Sequence, residues 1–155
     1  GAGDDVVISS GQVTIDMISS VYNITTSQQL NGTNMLSVFG TMDWNAGNIF
    51  CPITVKMGGT FNKLSGFSGS LYNTITIDAG ATFNQEIDYN IQSGGGNGSM
   101  VNKGIYNQTV GFLRLNHSSV TFDNEGTFNV AHDGNSLIGN GTFKRISHHE
   151  TIGCT

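Results

Sequence analysis

The chain has 155 residues, a net charge of −5, 22 glycines, one proline and only 11% charged residues. This length supports one domain with a core of its own. Its six Lys and Arg residues are scattered along the chain, which excludes the basic stripe that nucleic-acid binding requires. Because the sequence shows neither an apolar run long enough to span a bilayer nor a signal-like opening, we predict no membrane insertion and no retained signal peptide.

Residues 3–16 open the chain with alternating apolar and polar side chains, which predict a strand, and a further strand is predicted near residues 21–24. A repeat then follows in which a strand, a Gly-containing break and a second strand ending in Thr-Phe-Asn succeed one another. The clearest copies are 53–62, 75–84 and 120–129, and shorter ones are 40–43, 104–107 and 141–144. The copies align at positions 41, 60, 82, 105, 127 and 142, so the central steps are nearly constant and the last is distinctly shorter.

Such a repeat can bury its inner face only by stacking on its neighbours, about 4.8 Å apart. We therefore predict an all-β, single-domain, right-handed parallel β-helix (β-solenoid) with coils of about 19–23 residues. Residues 1–35 would form the opening and capping coils, 36–144 the regular coils and 145–155 a terminal segment. The predicted core is a ladder of Met42, Phe61, Phe83, Tyr106, Phe128 and Phe143, flanked by Ile53, Val55, Ile75, Ile77, Val120 and Phe122.

The opening Gly3-Asp4-Asp5-Val6-Val7-Ile8, followed by rungs of the Gly-Thr-Phe-Asn type, resembles the secreted parallel β-helix repeat domains of bacterial surface proteins and adhesins. The resemblance implies a secreted protein, located outside the cell or on its surface. The broad pectin-lyase-like superfamily of these domains includes polysaccharide lyases, hydrolases, phage tailspikes and adhesins. Its fold therefore does not choose among these activities.

Asp78 and Asp123 are the only candidates for a catalytic pair. We place them in one outward column with Asp16, Lys56 and Asn102, two coils and about 9.5 Å apart, the upper limit for an inverting pair of carboxylates. The alternative is a solvated face on which Lys56 neutralises Asp78. We favour that alternative and predict no catalytic residue.

A second outward column predicts a flat face of hydroxyl and amide groups. Such a face could match ice or a crystalline polysaccharide, although the strand preference of Thr and hydrogen bonding between stacked Asn residues would favour the same pattern. The predicted surface-binding residues are Thr41, Thr60, Thr82, Thr127 and Thr142 with Asn62, Asn84 and Asn129; Asp43 and Asn107 extend the column.

Cys51 and Cys154 are the only cysteines. We predict that they form a disulfide, which would close a loop of about 100 residues and stabilise the fold by ~4 kcal/mol; two buried thiols are the alternative. We predict no metal and no cofactor, because His148 and His149 would face opposite sides of a strand. The glycine-rich segment 94–99 lacks the Asp of a calcium repeat and is interpreted as a flexible loop.

Six Asn-X-Ser/Thr sequons are candidate glycosylation sites: Asn23, Asn31, Asn97, Asn107, Asn116 and Asn140. Trp44, the only Trp, is either a platform for stacking sugars or, as we favour, a core or cap residue.

These observations predict an extracellular structural or adhesive module, which could serve as a filament subunit or as part of a larger surface protein. Its partners would be further copies, other surface proteins or glycans, with no nucleic acid and no membrane insertion. The alternatives are a polysaccharide-active enzyme, either a lyase or an inverting hydrolase, and a protein that binds ice or a crystalline surface.

Overall fold

The computed structural model describes residues 4–64, 69–91, 98–131 and 137–145, and its regular secondary structure consists of 20 short strands. In chain order these are β1 (Asp5–Ile8), β2 (Val13–Ile15), β3 (Ser19–Val21), β4 (Asn23–Thr26), β5 (Leu30–Gly32), β6 (Leu36–Val38), β7 (Thr41–Trp44), β8 (Ile53–Val55), β9 (Thr60–Lys63), β10 (Ser70–Leu71), β11 (Thr74–Ile77), β12 (Thr82–Gln85), β13 (Tyr89–Ile91), β14 (Ser99–Asn102), β15 (Ile105–Gln108), β16 (Leu113–Leu115), β17 (Thr121–Asn124), β18 (Thr127–Val130), β19 (Leu137–Gly139) and β20 (Thr142–Arg145).

The strands form three parallel faces that the chain visits in turn. Sheet A is the stack β1-β4-β7-β9-β12-β15-β18, and sheet C is the stack β3-β6-β8-β11-β14-β17-β20. Sheet B consists of β2-β5 and β10-β13-β16-β19, which are joined through parallel bridges from Ile49 to Leu30 and Leu71. The chain thus makes about six turns, one for each step between the seven strands of sheet A. The predicted all-β, single-domain parallel β-solenoid is confirmed.

Alternation of side chains along each strand builds the core. In β9, Phe61 and Lys63 are buried while Thr60 and Asn62 are half-buried on the outer side. Sheet A brings Ile24, Met42, Phe61, Phe83, Tyr106 and Phe128 into one inward column. The rings of Phe61, Phe83, Tyr106 and Phe128 stack at successive centroid distances of 4.9, 4.7 and 5.0 Å. The predicted aromatic ladder is confirmed over these coils, in the predicted register.

Phe143 does not continue this ladder, so its predicted position is wrong. It lies in β20, where it pairs with Phe122 in sheet C at a ring distance of 5.1 Å. The error arises because sheets A and C both place an aromatic residue after an outward Thr. The short last step of the repeat, from position 127 to position 142, marked the change of face.

Tight corners between sheets C and A allow successive coils to stack. Gly58 and Gly80 adopt positive φ angles of 81° and 79°, which residues other than Gly rarely adopt, and the Gly58 N–H donates to the Gly80 carbonyl at 3.0 Å. At Gly104 a Cβ atom would lie 2.2 Å from the Ala81 carbonyl oxygen, so only glycine fits between these coils. Within the described residues, nothing helical is long and apolar enough to cross a membrane.

Candidate functional site

The outer side of sheet A carries a continuous hydrogen-bonded row of side chains, here called the asparagine ladder: Asp43, Asn62, Asn84, Asn107 and Asn129. Each Asn Nδ2 donates to the Oδ1 of the preceding coil, at 2.8, 2.9, 3.0 and 2.9 Å in chain order. All four bonds point the same way and end on the Asp43 carboxylate, an arrangement in which neighbouring bonds strengthen one another. The ladder therefore joins five successive coils.

Replacing the central amide by a carboxylate tests this ladder. Asn84→Asp removes the donor to Asn62 and sets two acceptor oxygens against each other, so we expect a loss of about 1–2 kcal/mol in the free energy of unfolding at neutral pH. The Asn62 oxygen opposite it should raise the pKa of the new carboxyl. Acidification should therefore reduce this loss, because the protonated group can donate to Asn62 again. Denaturant unfolding at neutral pH and at acidic pH measures the effect. Thr82→Ser, on the same strand, should change stability little at either pH.

Beside the ladder, the predicted Thr column is present over three coils. Thr41, Thr60 and Thr82 are in register on neighbouring strands, but Ile105 interrupts the column before Thr127. Thr142 is not part of this face, because it pairs with Thr121 in sheet C. The predicted surface thus consists of Thr41, Thr60, Thr82 and Thr127 with the ladder residues, without Thr142.

Asp78 and Asp123 do not share a column, so their predicted register is wrong. Asp123 is opposite Val101 of β14, and Val101 is opposite Thr76 of β11, so Asp123 shares its column with Thr76. Asp78 instead lies just after the end of β11. The predicted alignment of the copy 120–129 with the copy 75–84 was wrong. Phe122, and not Val120, lies in register with Ile75, through Met100 of the strand between them. Asp78 forms an ion pair with Lys56 at 3.2 Å, as the favoured alternative predicted.

The other members of that predicted column are also separated. Asn102 faces inward and is fully buried, and its Nδ2 donates to the Asn124 Oδ1 at 2.6 Å and to the Thr127 carbonyl at 2.9 Å. Asp16 follows β2 at the end of a sheet B strand. The column therefore brings no set of carboxylates together.

Sequence reasoning missed an inward polar column in sheet A, which contains Thr26, Trp44, Lys63, Gln85 and Gln108. All five are fully buried. Tyr106 Oη donates to Gln85 Oε1 at 2.5 Å, and Gln108 Nε2 donates to the Gly111 carbonyl at 2.7 Å. The signal was present in the Thr-Phe-Asn-Lys and Thr-Phe-Asn-Gln segments, because the period of two places the fourth residue on the same side as the Phe.

Lys63 is the most unusual member of this column. Its Nζ lies 4.7 Å from the centroid of the Trp44 ring and 3.5 and 3.4 Å from the carbonyl oxygens of Trp44 and Asn45. Burial lowers the pKa of Lys63 from 10.5 to about 8, because the charged form is poorly solvated inside the solenoid. The surrounding carbonyls and the ring face favour the cation but only in part replace water.

Trp44 is a core residue, as favoured, and not a sugar-stacking platform. Its ring is fully buried, and it meets the Phe61 ring edge-on at 6.0 Å. The indole Nε1 donates to the carbonyl oxygens of Ala46 and Gly47 at 2.8 and 3.0 Å. The polar atom of the ring is therefore occupied within the fold.

Cys51 is a free, fully buried thiol, so the predicted disulfide is not formed at this residue. Burial raises the pKa of the Cys51 thiol to about 11, which keeps it protonated and unreactive at neutral pH. Cys154 lies outside the described residues, as do Asn97, His132, His148 and His149. Residues 94–97 of the predicted glycine-rich loop also lie outside them, whereas Ser99 at its end begins β14. In the described part of the chain, no three His, Cys, Asp or Glu side chains are grouped so that they could hold a metal ion.

The five sequons within the described residues fall into two groups. Asn23 donates to Asp5 at 2.8 Å, Asn31 accepts from Gln29 at 2.6 Å, and Asn107 belongs to the asparagine ladder. Asn116 and Asn140 instead lie exposed in the loops that follow β16 and β19. A glycan at either of these positions would leave the sheets intact.

Expression in a secretory eukaryotic host should therefore give folded, secreted protein with glycans at Asn116 and Asn140 and none at Asn107. A glycan on Asn107 would displace the amides packed above and below it, about 4.8 Å away. Peptide mass spectrometry measures occupancy, with Asn116→Gln as the control for assignment. Substantial occupancy of Asn107 in folded material would contradict the prediction.

No family model, curated protein or solved structure matches this chain. The structure shows the parallel β-solenoid, and the resemblance to secreted β-helix domains stays a prediction from the sequence.

Proposed function

We propose that this chain is an extracellular structural or adhesive β-solenoid module, which acts by presenting rigid polar faces and not by turnover. One observation carries the proposal: the outward amides of sheet A and the carboxylate of Asp78 are used to hold coil to coil. The Asn side chains of the ladder donate to one another from coil to coil, and Lys56 neutralises Asp78. A surface with few charges and many amides and hydroxyls suits contact with glycans or other surface proteins.

Binding and turnover must be measured together to test this proposal. The purified protein is applied to a glycan array and to intact cells, and released sugar products are assayed in the same samples. We expect retention on a surface without product. Absence of binding to glycans, to cells and to other copies of the chain would overturn the proposal, as would turnover that Asp78→Asn with Asp123→Asn abolishes.

A matched pair of variants then locates the adhesive face. Thr82→Glu places a charge on the outer side of sheet A, and Thr76→Glu places the same charge on the outer side of sheet C; both threonines are half-buried. We expect Thr82→Glu to weaken retention and Thr76→Glu to leave it unchanged. Equal effects would show that sheet A is not the contact face.

Recognition of an ordered solid, such as ice or a crystalline polysaccharide, is a second candidate. The specific observation in its favour is that Thr41, Thr60 and Thr82 are in register on consecutive strands, about 4.8 Å apart. Thermal hysteresis and binding to crystalline polysaccharide are measured with bulky replacements at Thr82 and Thr127. Unchanged activity in those variants, or no activity in the wild type, would remove this candidate.

A further inference from the structure

The amides of the asparagine ladder are all turned the same way. A side-chain amide has two N–H groups and two acceptor positions. Asn62, Asn84 and Asn107 each use one of each within the ladder, because each donates to the preceding coil and accepts from the next. The remaining N–H group and acceptor position of these half-buried side chains therefore repeat in one orientation every ~4.8 Å along the solenoid. Such a pattern fits a ligand that carries hydroxyl groups.

The outer side of sheet A also carries little charge. Among the outward side chains of its seven strands, only Asp5 and Asp43 are charged. Each of these carboxylates accepts a hydrogen bond from an Asn side chain of the next coil. The strands of sheet A point no Lys or Arg outward that could bind a polyanion. An uncharged ligand therefore fits this surface best.

Apolar side chains lie along the edge of this surface, at the corner between sheets C and A. Tyr22, Phe39 and Met57 occupy the corner in three successive coils and are 48, 40 and 76% exposed. A Cβ atom at Gly40 would lie 3.0 Å from Tyr22 Cδ1, and one at Gly80 would lie 3.0 Å from Met57 Cγ. Tyr22 and Met57 thus each lie against the glycine of the following coil. The three side chains form a row along the solenoid axis, here called the corner strip.

The size of this surface favours a narrow ligand over a protein. Its seven strands of four residues give the outer side of sheet A a length of about 29 Å and a width of about 13 Å. The resulting area is about 400 Å², roughly half of what a stable protein partner covers on each side. An extended sugar chain is narrow, and its units follow one another at close to the distance between coils. Its C–H faces pack on aromatic rings, and its hydroxyl groups both donate and accept hydrogen bonds.

We infer that sheet A and the corner strip bind a single chain of an uncharged polysaccharide, which runs parallel to the solenoid axis. Sugar rings pack on the corner strip, and their hydroxyl groups exchange hydrogen bonds with the outward threonines and the asparagine ladder beside it. This inference rests on the proposed adhesive function and names its class of ligand.

Soluble polysaccharides of different charge test the class of ligand. Isothermal titration calorimetry is carried out on the full chain with four neutral polymers, namely linear β-glucan, xylan, mannan and galactan, and with the polyanions polygalacturonate and heparin. We expect at least one neutral polymer to bind and neither polyanion to do so. Oligosaccharides of the bound polymer should bind more tightly with increasing length until they span sheet A. Binding of polyanions alone, or of none of these polymers, would overturn the inference.

A matched pair of double variants locates the sugar chain on the corner strip. Tyr22→Ala/Phe39→Ala should weaken binding about tenfold or more, because the sugar rings lose two aromatic contacts. Met17→Ala/Ile18→Ala is the control, because these residues are 66 and 74% exposed in the first coil but lie at the corner between sheets B and C. The control should bind like the wild type. Unchanged binding by the first variant, or equal weakening by both, would contradict the assignment.

Folding and the proposed function are tested separately from the class of ligand. Circular dichroism verifies that each variant is folded. Tyr22→Leu/Phe39→Leu replaces an alanine variant that does not fold, and it should still weaken binding because leucine has no flat ring face. A protein that adheres to cells but binds no neutral polysaccharide refutes this inference and leaves the proposed function standing. A protein that adheres to nothing refutes both.

Discussion

Phe83→Ala should be among the most destabilising single substitutions in this protein. Phe83 is fully buried, and its ring lies between Phe61 and Tyr106 at 4.9 and 4.7 Å. Truncation removes both stacking contacts and leaves a cavity between coils, so we expect a loss of about 3–5 kcal/mol in the free energy of unfolding. A loss of that size is a large fraction of the stability of a typical domain. Denaturant unfolding followed by circular dichroism measures it.

The matched control is Phe39→Ala, because Phe39 is 40% exposed. Its truncation should cost much less, and Phe83→Leu, which keeps most of the volume, should fall between the two. Equal losses for Phe83→Ala and Phe39→Ala would contradict the shared aromatic column on which the fold depends.

The second large effect is an increase in stability. Lys63→Met should raise the free energy of unfolding by about 1–3 kcal/mol at pH 7. Met has a similar length and fills the same space beside Trp44, but it brings no charge into the core. The gain is partial, because the variant loses the contact with the Trp44 ring and the two carbonyl contacts.

The pH dependence gives this prediction a second readout. The pKa of Lys63 is about 8 in the fold, against 10.5 as its ordinary value. The folded protein therefore loses this proton at lower pH than the unfolded chain, so stability rises as pH increases from about 8 toward 10.5. Between pH 7 and pH 9.5 the wild type should gain about 2 kcal/mol relative to Lys63→Met. Chemical denaturation at both pH values gives the difference.

Lys56→Met is the control, because Lys56 forms a partly exposed ion pair with Asp78. Its loss should change stability by less than about 1 kcal/mol. A wild type whose stability relative to Lys63→Met is the same at pH 7 and pH 9.5 would show that Lys63 is better solvated than its burial implies.

Only part of the candidate surface could be predicted from the sequence. The in-register Thr41, Thr60 and Thr82 and the asparagine ladder could be predicted, because the coil lengths between them are nearly constant. The register of Asp78 and Asp123 could not, because the corner between β17 and β18 is shorter than the corner between β11 and β12. The shorter corner lacks one inward and one outward position, which preserves the alternation of apolar and polar residues. The sequence pattern therefore gave no sign of the shift in register.

The burial of Lys63 was not predicted from the sequence, although Trp44 beside it was expected in the core. Alternation places both side chains inward, yet the expectation that Lys faces solvent is strong for single strands. Only the closed stack shows that the fourth position of this strand motif also lies inside the solenoid. The column there is polar because Gln, Trp and Lys can reach backbone carbonyls near the end of sheet A.

The sequence by itself determined the all-β class, the side to which most residues of each strand point and the spacing of the central coils. Each of these follows from a period of two and from a repeat within a single stretch of chain. The tertiary structure alone decided which face each copy joins, as Phe143 and Thr142 show. Two faces use the same Thr-Phe segment, and the choice between them depends on the lengths of the loops and on which neighbouring coil supplies the hydrogen bonds.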